Sequence, residues 1–543
     1  MPLIGSAVLE ASSSDRLDSW KEIASHLRRT VRTVQRWERH AGLPVRRHHH
    51  DKAASVYASR SELDQWWQRR PAETCVAPAD VASRPALEPI DDARRIIILP
   101  FTDLSPSADH AHLCEGIVEE LTTALGKVPT FSIPRRTAVA SFWRDGATLA
   151  ELTERFRPWL VIEGSVRRVC DRVRVLVRIT RTSDGAVVWA DGFEGAFSEV
   201  LALEERLQCA VLTACGHDSG TVRLQRSHSG VSDAYDLYLM SRHYFNTRTL
   251  DGLRKSIDYA ERALERDSSY ALAAAALSTA CATYASYTPS PPAPYMDRAR
   301  AAAWQALSLD EHLSEAHMAL GFVQLAYDWK WIEADRSLQR AIQLDPRNAT
   351  AHQWSSICYL AVGDSNRSIK ACADAERLDP ASPIIKCHRS WILYMFGRNR
   401  EALATLRRTA ERYPEFWRAY FNLAFCYVRE GRGDEAVRAM ETATKLHTYL
   451  PAVAALVSIY ALVGREADAE RLLQQLLDQT RYVSPYWLGV ALTAAGRPDE
   501  AMQWLWRSYD DREWYLVFAG HEPVLDPLRK RQDFQHLLAA IGL

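Results

Sequence analysis

The first 70 residues have the apolar spacing of short amphipathic helices. One buried stripe occupies the i, i+3, i+4 and i+7 positions of a helix over residues 19–27: Trp20, Ile23, Ala24 and Leu27. A second helix is predicted over residues 30–40, with Thr30 as its N-cap, and it ends at Gly42. Residues 46–58 have the pattern of a short β-wing, and a third helix begins at 59–61. The predicted order is helix, turn, helix, wing, helix.

The second helix and the wing carry a basic, polar surface. The candidate DNA-binding residues are Arg32, Thr33, Gln35, Arg36 and Arg39 on the helix, and Arg46, Arg47 and Lys52 on the wing. Arginine and lysine bind phosphates, while arginine, glutamine and threonine read base edges in a groove that admits one helix. The alternative is a solvated basic helix face without a ligand.

Ordered blocks of this segment resemble the MerR-like and excisionase-like DNA-binding domains. The blocks are Trp20-Lys-Glu-Ile-Ala24, Arg32-Thr-Val-Gln-Arg-Trp-Glu38, Gly42-Leu-Pro44, Ser55-Val-Tyr57 and Glu62-Leu63. Arg28 stands where a turn glycine is common in that family. The resemblance implies a winged helix-turn-helix DNA-binding domain over residues 19–70. A disordered leader is expected over 1–18, and a Pro/Ala-rich linker over 71–93.

Residues 94–218 alternate between β-branched runs and helical periods, which predicts an α/β module with a mixed sheet. The predicted elements are 94–101, 112–128, 130–134, 147–156, 159–169, 173–179, 186–190 and 198–214. Glu115, Glu119, Glu120 and Glu163 suggest acid/base carboxylates. We favour a solvated face, because Glu115 and Glu119 lie four residues apart on the polar side of one helix.

This module resembles the TolB-amino-terminal-like module of CadC-type regulators and of some proteins attached to adenylate cyclases. The residues that carry the resemblance are Ile98-Leu-Pro-Phe101, Glu115-Gly116, Glu119-Glu120-Leu121, Glu163-Gly-Ser-Val-Arg167 and Trp189. In many such proteins a membrane helix precedes the module. Here the Pro-rich stretch stands in that place, so no membrane role is expected.

Residues 230–543 repeat at a period of 34. The positions that recur at this interval are Gly363, Gly397 and Gly431, Asp345-Pro346 and Asp379-Pro380, Ala341 and Ala375, and Glu401-Ala402 and Glu435-Ala436. The period and residue types are those of tetratricopeptide repeats (TPR), which predicts an all-α solenoid of about eight units with a groove for a protein or peptide. One unit carries an extra residue around 328–331, and a capping segment ends the array. The aromatic residues Trp354, Trp391, Trp417 and Tyr420 are expected to pack between helices rather than to contact a ligand.

Composition adds limits to this picture. Apolar residues make up 47% and charged residues 25%, which is ordinary for a soluble protein. The net charge of −1 conceals +5 on residues 1–70 and −6 on the remainder. The ten cysteines form no C-x-x-C pair, and no apolar run reaches the length of a membrane helix, so we expect reduced thiols in a cytoplasmic protein without a membrane partner. Residues 48–50 are all histidine, but neighbours on a strand point to opposite faces, so no metal is expected.

The sequence therefore predicts a multidomain chain: a winged helix-turn-helix head, an α/β module with a mixed sheet, and a TPR solenoid. The leading hypothesis is a transcriptional regulator that binds duplex DNA through residues 19–70, as a possible homodimer, and a partner or signal through the rest. The alternative is a TPR interaction scaffold whose head is not used for specific DNA binding. No nucleophile motif, metal spacing or phosphate loop indicates an enzyme, and no cofactor is expected.

Overall fold

The computed structural model describes residues 15–27, 34, 38, 43–50, 53–69, 94–107, 109–134, 139, 143, 148–218, 228–288, 290–446, 450–478 and 482–543. The chain forms two compact units, Met1–Asp92 and Ala93–Leu543. No helix among these described residues is long and apolar enough to cross a membrane.

The first unit is a small helix and sheet assembly. Helix α1 (Trp20–His26) begins at Ser19, whose hydroxyl accepts from the backbone N–H of Glu22 at 3.2 Å. Strands β1 (Arg16–Leu17), β2 (Arg46–His50) and β3 (Ala53–Ser59) form an antiparallel sheet in the order β1-β3-β2, and helix α2 (Arg60–Arg69) follows. The core of this unit is Leu17, Ile23, Ala24, Val34, Leu43, Ala58 and Leu63.

The leader that we expected to be disordered over 1–18 differs from the structure at its end, where β1 pairs with β3. The reason is local: Asp15 accepts hydrogen bonds from the hydroxyls of Ser59 and Ser61 at 2.6 and 2.8 Å. The carboxylate therefore holds the residue just before β1 against the start of α2. Of the predicted helix over residues 30–40, only Val34 and Glu38 lie within the described residues, and both are helical.

The second unit begins with a mixed sheet, as the sequence predicted. Its strands are β4 (Arg94–Ile98), β5 (Thr102–Asp103), β6 (Phe131–Ser132), β7 (Leu160–Val169), β8 (Arg172–Arg181) and β9 (Val187–Ala196). Their order is β6-β4-β7-β8-β9, with β5 on β7; β4 runs parallel to β6 and β7, and β7, β8 and β9 are antiparallel neighbours. Among the described residues, this part includes the helices α3 (Ala111–Gly126), α4 (Leu149–Phe156) and α5 (Val200–Ala214).

A helical array follows. Its helices are α6 (Ser232–Asn246), α7 (Leu250–Arg266), α8 (Ala271–Ala285), α9 (Ala293–Leu309), α10 (Ser314–Val323), α11 (Trp331–Leu344), α12 (Ala349–Ala361), α13 (Ser365–Leu378), α14 (Pro383–Met395), α15 (Asn399–Arg412), α16 (Trp417–Arg429), α17 (Gly433–Leu446), α18 (Leu450–Leu462), α19 (Glu466–Leu477), α20 (Pro485–Ala494), α21 (Pro498–Asp510) and α22 (Gln532–Ala540). Glycines at the turn within successive pairs have φ between 70° and 79°: Gly363, Gly397, Gly431, Gly464 and Gly496. This left-handed backbone is the reason that glycine recurs with the period.

The two helices of a pair differ in character. The first helix, such as α12 or α20, is buried on almost every side. The second helix, such as α13 or α21, has one apolar face and one solvated face. A helix that is apolar all round must be covered on both sides. The first helices are therefore covered on one side by the second helices and on the other side by a further segment, which lies on the inner face of the array.

The α/β part and the beginning of the array share one hydrophobic core, which crosses the boundary placed at 218–230. This core joins sheet residues such as Ile96 and Val175 to Tyr235, Leu239 and Tyr270 of the helices. Gly116 of α3 shows how close the contact is, since a Cβ there would meet the Leu239 side chain at 2.7 Å. The two parts are one folded body.

The extra residue predicted around 328–331 is accommodated in a π-helical turn. Residues Gln324–Asp328 continue α10 with this wider winding, and Trp329 ends it in the left-handed conformation at φ 52°. One additional residue is thus absorbed without breaking the helix.

Candidate functional site on the inner face of the array

The inner face of the array is covered by the chain's own C-terminal segment, residues 513–528. This segment contains two 3₁₀ helices, Trp514–Phe518 and Pro523–Leu528. All five residues of the first one are buried. Trp514 lies 5.9 Å from the Phe322 ring and Phe518 lies 6.5 Å from the Trp391 ring, so the segment packs on first helices of distant repeats.

Two buried carboxyl groups fix this segment. Glu513 accepts from the backbone N–H of Tyr486 at 2.7 Å and from the Ser508 hydroxyl at 2.9 Å. Glu522 accepts from the Tyr394 hydroxyl at 3.2 Å. Burial raises the pKa of Glu513 and that of Glu522 to about 7. Both carboxyl groups hold the segment by hydrogen bonds, although their burial disfavours the ionised form.

The chain end is attached separately. The indole N–H of Trp331 donates to the carbonyl oxygen of Ile541 at 2.9 Å, across 210 residues of sequence. Arg512 donates to the Tyr327 carbonyl at 3.3 Å, beside the π-helical turn. The sequence predicted a cap at this end of the array, and the structure places that cap against α11 and the end of α10.

Two clefts adjoin the segment and share Trp514 and Tyr515. The outer cleft is lined by Ala285, Ser286, Thr288, Ser290, Pro292, Met296, Tyr482, Ser484, Arg512, Glu513, Trp514 and Tyr515. The inner cleft is lined by His388, Trp391, Arg418, Phe421, Asn422, Tyr486, Trp487, Trp514, Tyr515 and Phe518. The turn between α8 and α9 thus approaches the start of α20, and Tyr287 of that turn lies 6.3 Å from the Trp417 ring.

The three tryptophans named in the sequence analysis pack between helices as expected, and one of them, Trp391, also lines a cleft. Trp354 stacks on Phe322 at 4.1 Å, and Trp417 meets Phe421 at 5.9 Å. Trp391 contacts Phe425 at 5.5 Å and also lines the inner cleft. No local pattern marks the other cleft residues in advance, because they come from repeats that only the fold brings together: His388, Arg418, Trp487 and Trp514.

The carboxylates of α3 do not form the solvated face that we expected. Glu120 lies 3.0 Å from the ring of His228, Glu115 lies 3.3 Å from that of His243, and Glu119 accepts from Arg242. These three partners lie more than 100 residues later, on α6 or just before it. The expectation was wrong because the amphipathic pattern shows which residues of a helix are polar, but not which other parts of the fold these residues contact. The fourth carboxylate, Glu163, pairs with Arg178 across β7 and β8 at 2.7 Å.

A buried polar cluster continues this contact. Asp236 of α6 accepts from Arg168 at 2.9 Å and lies 2.8 Å from the His112 ring. Glu204 of α5 accepts from the Tyr235 hydroxyl at 2.9 Å, and burial raises the pKa of Glu204 to about 8. Every group here has a partner within the fold, so the cluster is a connection between the α/β part and the array.

Most of the candidate DNA-binding residues lie outside the described residues: Arg32, Thr33, Gln35, Arg36, Arg39 and Lys52. Arg47 belongs to β2, and its side chain is not described. Arg46, also on β2, is largely exposed and donates to Glu62 of α2 at 2.6 Å. The described part of the chain shows no group of three His, Cys, Asp or Glu residues able to hold a metal ion.

Comparisons with known proteins agree with the repeat pattern. A family model described as tetratricopeptide repeat matches residues 393–459. The chain carries tetratricopeptide repeats. It is 28% identical over 171 residues to the TPR repeat-containing protein YvcD of Bacillus subtilis (strain 168), covering 28% of this chain and 34% of that protein. It is 25% identical over 218 residues to a protein of Rhizobium meliloti (strain 1021) named "Putative adenylate cyclase 3", covering 39% and 36%. The chain thus spans about a third of either relative.

The chain is also similar to two solved structures of tetratricopeptide repeat proteins. A thermophilic TPR protein of Thermus thermophilus matches 36% of this chain and 99% of its own, with 16% identity and a TM-score of 0.31. A tetratricopeptide repeat protein from Parabacteroides merdae ATCC 43184 matches 46% and 93%, with 13% identity and a TM-score of 0.34.

Proposed function

We propose that the chain is a scaffold that binds a protein partner through its tetratricopeptide repeats. The observation that carries this proposal is the outer cleft. Residues 513–528 cover much of the inner face, and the outer cleft adjoins them where the α8–α9 turn faces the start of α20. Repeat arrays of this kind bind extended or helical peptides in their grooves.

The lining of the outer cleft suits a peptide. Hydroxyl groups of Thr288, Ser290 and Ser484 can donate to or accept from main-chain amides, and Trp514 offers an apolar surface. Arg512 and Glu513 bring both charge signs to the same wall. A peptide would therefore bind through hydrogen bonds of its backbone and through contacts of one side chain with Trp514.

The test is selection of random displayed peptides on the full chain, followed by binding to two matched variants. Ser290→Trp fills the outer cleft, whereas Ser308→Trp adds the same side chain to the exposed side of α9. We expect the selected peptides to bind the wild type and Ser308→Trp, and to lose affinity for Ser290→Trp while its melting temperature is retained. Equal binding to Ser290→Trp would refute the proposed site.

The Rhizobium relative's name includes a cyclase activity, which we do not extend to this chain. We propose that the shared stretch is the TolB-like module with repeats, and that it contributes binding and not catalysis. The resemblance of residues 94–218 to that module supports this proposal. Formation of cyclic AMP from ATP by the purified chain above a buffer blank would overturn it.

A second candidate function is DNA binding by the first unit. It is supported by the resemblance of residues 19–70 to MerR-like domains and by the basic strand β2, with Arg46 exposed, in a hairpin with β3. We propose that Arg32, Thr33, Gln35, Arg36, Arg39, Arg46, Arg47 and Lys52 contact the duplex.

The test is titration of the full chain against duplex DNA at several salt concentrations. Arg36→Ala should weaken binding and reduce the salt dependence, whereas Arg254→Ala, at an exposed position on α7, should change neither. Binding that is indifferent to salt, or equal loss in both variants, would exclude this candidate. Sedimentation at micromolar concentration should then show a dimer, since one short helix contributes few base contacts.

A further inference from the structure

We infer that the exposed side of the mixed sheet is a docking surface for an acidic amphipathic helix of a partner protein. The inference goes beyond the proposed scaffold function, because it assigns a second interface to the α/β part, built from residues that line neither cleft. It does not depend on whether the outer cleft binds a peptide.

One side of the sheet is only partly covered by the fold. Helix α4 covers one end of this side, where Leu152 clusters with Ile97 and Val161. The opposite side of the sheet carries the core that is shared with the array. Parallel strands such as β4 and β7 are normally covered by helices on both faces. The part that α4 leaves open is the outer sheet face, centred on Leu104, Ser165, Arg167, Arg174, Leu176 and Gly192.

Strand alternation and register bring these residues to one side. Val173, Val175 and Val177 of β8 are buried in the core, so the residues between them point to the open side. One of these is Leu176, which lies opposite Ser165 of β7 in the register. The outer sheet face therefore runs across neighbouring strands and is not a set of scattered positions.

The outer sheet face carries two unpaired arginines. Arg167 of β7 lies directly opposite Arg174 of β8, and both are exposed. Neighbouring arginines pair within the sheet, as Arg178 does with Glu163 at 2.7 Å, but Arg167 and Arg174 have no carboxylate within 4.0 Å among the described residues. Like charges directly opposite on neighbouring strands are destabilising. Two carboxylates from a partner would neutralise both, and each can accept two parallel N–H bonds from an arginine.

Exposed apolar side chains lie beside these arginines. Leu176 is 41% exposed and Leu104 is 53% exposed. The N–H of Leu104 donates to the Val166 carbonyl at 2.8 Å, which places Leu104 next to Arg167. Gly192 adds no side chain beside Leu176, where a Cβ would come within 2.9 Å of that leucine. A helix with an apolar stripe flanked by acidic residues matches this combination of leucines and arginines.

The same observations disfavour other occupants. Sheets that bind single-stranded RNA stack its bases on aromatic side chains, but the described residues on this side of β7, β8 and β9 include no aromatic residue. Trp189 and Phe193 of β9 pack against the core on the opposite side. Glu163 and Glu194 would also repel a phosphate backbone. A second copy docked face to face would set arginines against arginines.

The experiment selects displayed helices on the full chain. A library of short alanine-based helices, randomised along one side, is first depleted on the Arg167→Gln/Arg174→Gln chain and then selected on the wild type. We expect the recovered helices to carry two acidic residues at i and i+4 beside an apolar stripe, and to bind more weakly as salt is added. Recovery of no helix, or of helices without acidic residues, would overturn the inference.

The paired variants are Arg174→Gln and Arg181→Gln. Both residues are exposed on β8, but Arg181 has the opposite alternation and already pairs with Asp184 at 3.0 Å. Affinity for a recovered helix should fall about fivefold in Arg174→Gln, the upper range of an exposed ion pair, and stay unchanged in Arg181→Gln. The Ser290→Trp chain should bind the helix like the wild type, which separates this interface from the proposed peptide site.

Charge reversal and a nucleic-acid probe complete the test. Arg174→Glu should bind the helix still more weakly, and should prefer a version of the helix with lysine in place of its glutamates. The ligand-free Arg174→Gln chain should melt at the wild-type temperature or above, because one of two opposed like charges is removed. Three results overturn the inference: equal loss of affinity in Arg181→Gln, an Arg174→Gln chain that melts well below the wild type, or tighter binding of oligouridylate than of any recovered helix.

Discussion

The hydroxyl of Tyr394 donates to Oε1 of Glu522 at 3.2 Å, although 128 residues separate the two in the sequence. The carboxyl is completely buried, and its second oxygen has no partner among the described residues. Glu522 therefore holds residues 513–528 against α14 while carrying a group that is hard to ionise there.

Glu522→Gln should stabilise the chain increasingly as the pH rises. The ordinary pKa of 4.5 is raised to about 7 in the fold, so the folded state keeps a proton that the unfolded state has lost. The wild-type chain has its full stability below pH 4.5, where Glu522 is protonated in both states. It loses on the order of 3 kcal/mol as the pH rises through about 7, and Glu522→Gln does not. The free energy of unfolding from urea titrations at pH 5, 6, 7 and 8 checks this.

The matched control for that prediction is Glu500→Gln. Glu500 is a solvated residue on α21 that pairs with Arg497 at 2.7 Å, and this pairing lowers its pKa. The control should not gain stability between pH 5 and pH 8. His388 has the opposite effect on stability, because its lowered pKa destabilises the fold only as the pH falls below 6.5. This effect is the same in the wild type and in both variants, so it does not change the difference between them. A constant difference between Glu522→Gln and wild type across this range would contradict the buried-carboxyl account.

Gly397→Ala should destabilise the array by about 1–2 kcal/mol through backbone strain alone. Gly397 has φ 76°, yet a Cβ there would meet nothing within 4 Å. Gly230→Ala is the control, because that position is equally open but does not have a left-handed backbone. Chemical denaturation of both variants measures the difference, and equal effects would show that the turn conformation is not the cause.

Trp331→Phe should lower the free energy of unfolding by about 1 kcal/mol or more, because the N–H that donates to the Ile541 carbonyl is removed. Proteolysis should then cleave first after residue 528. Trp304→Phe changes an exposed tryptophan on α9 and should leave both measurements unaltered. Unchanged proteolysis in Trp331→Phe would mean that other contacts hold the chain end.

Asp236→Asn should cost about 2–3 kcal/mol, the range for hydrogen bonds to charged groups. The carboxylate is 21% exposed and is shared by His112 and Arg168, so both partners lose its charge together. Asp233→Asn, one turn earlier on α6, is the comparison. Hydrogen exchange should show α3 and α6 loosening together, and loosening of α6 alone would indicate that the two helices are not joined through this group.

The repeat period and the mixed sheet could be predicted because both leave local signals. A left-handed turn admits glycine at low cost, so Gly363, Gly397 and Gly431 mark the period in the sequence itself. The alternation of β8 was also visible, since Val173, Val175 and Val177 face the core.

The partners of the α3 carboxylates and the inner cleft left no such signal. Glu119 meets Arg242 only because α6 folds back on α3. Trp487 and Trp514 line one cleft only because residues 513–528 return to the inner face. The run Trp514–Phe518 is apolar like many core segments, and nothing local says which surface it covers. Contacts between residues that are far apart in the sequence become visible only in the three-dimensional structure.

The attachment of the chain end has a consequence for how the protein is made. A repeat array normally behaves as a one-dimensional chain in which each unit contacts its neighbours and folds next to them. Here the Ile541 carbonyl closes onto Trp331, and Glu522 onto Tyr394, so contacts of high sequence separation decide the last step. A nascent chain would expose the buried first helices until residues 513–541 emerged. Removal of residues 513–541 should therefore be far more damaging than the small length lost suggests.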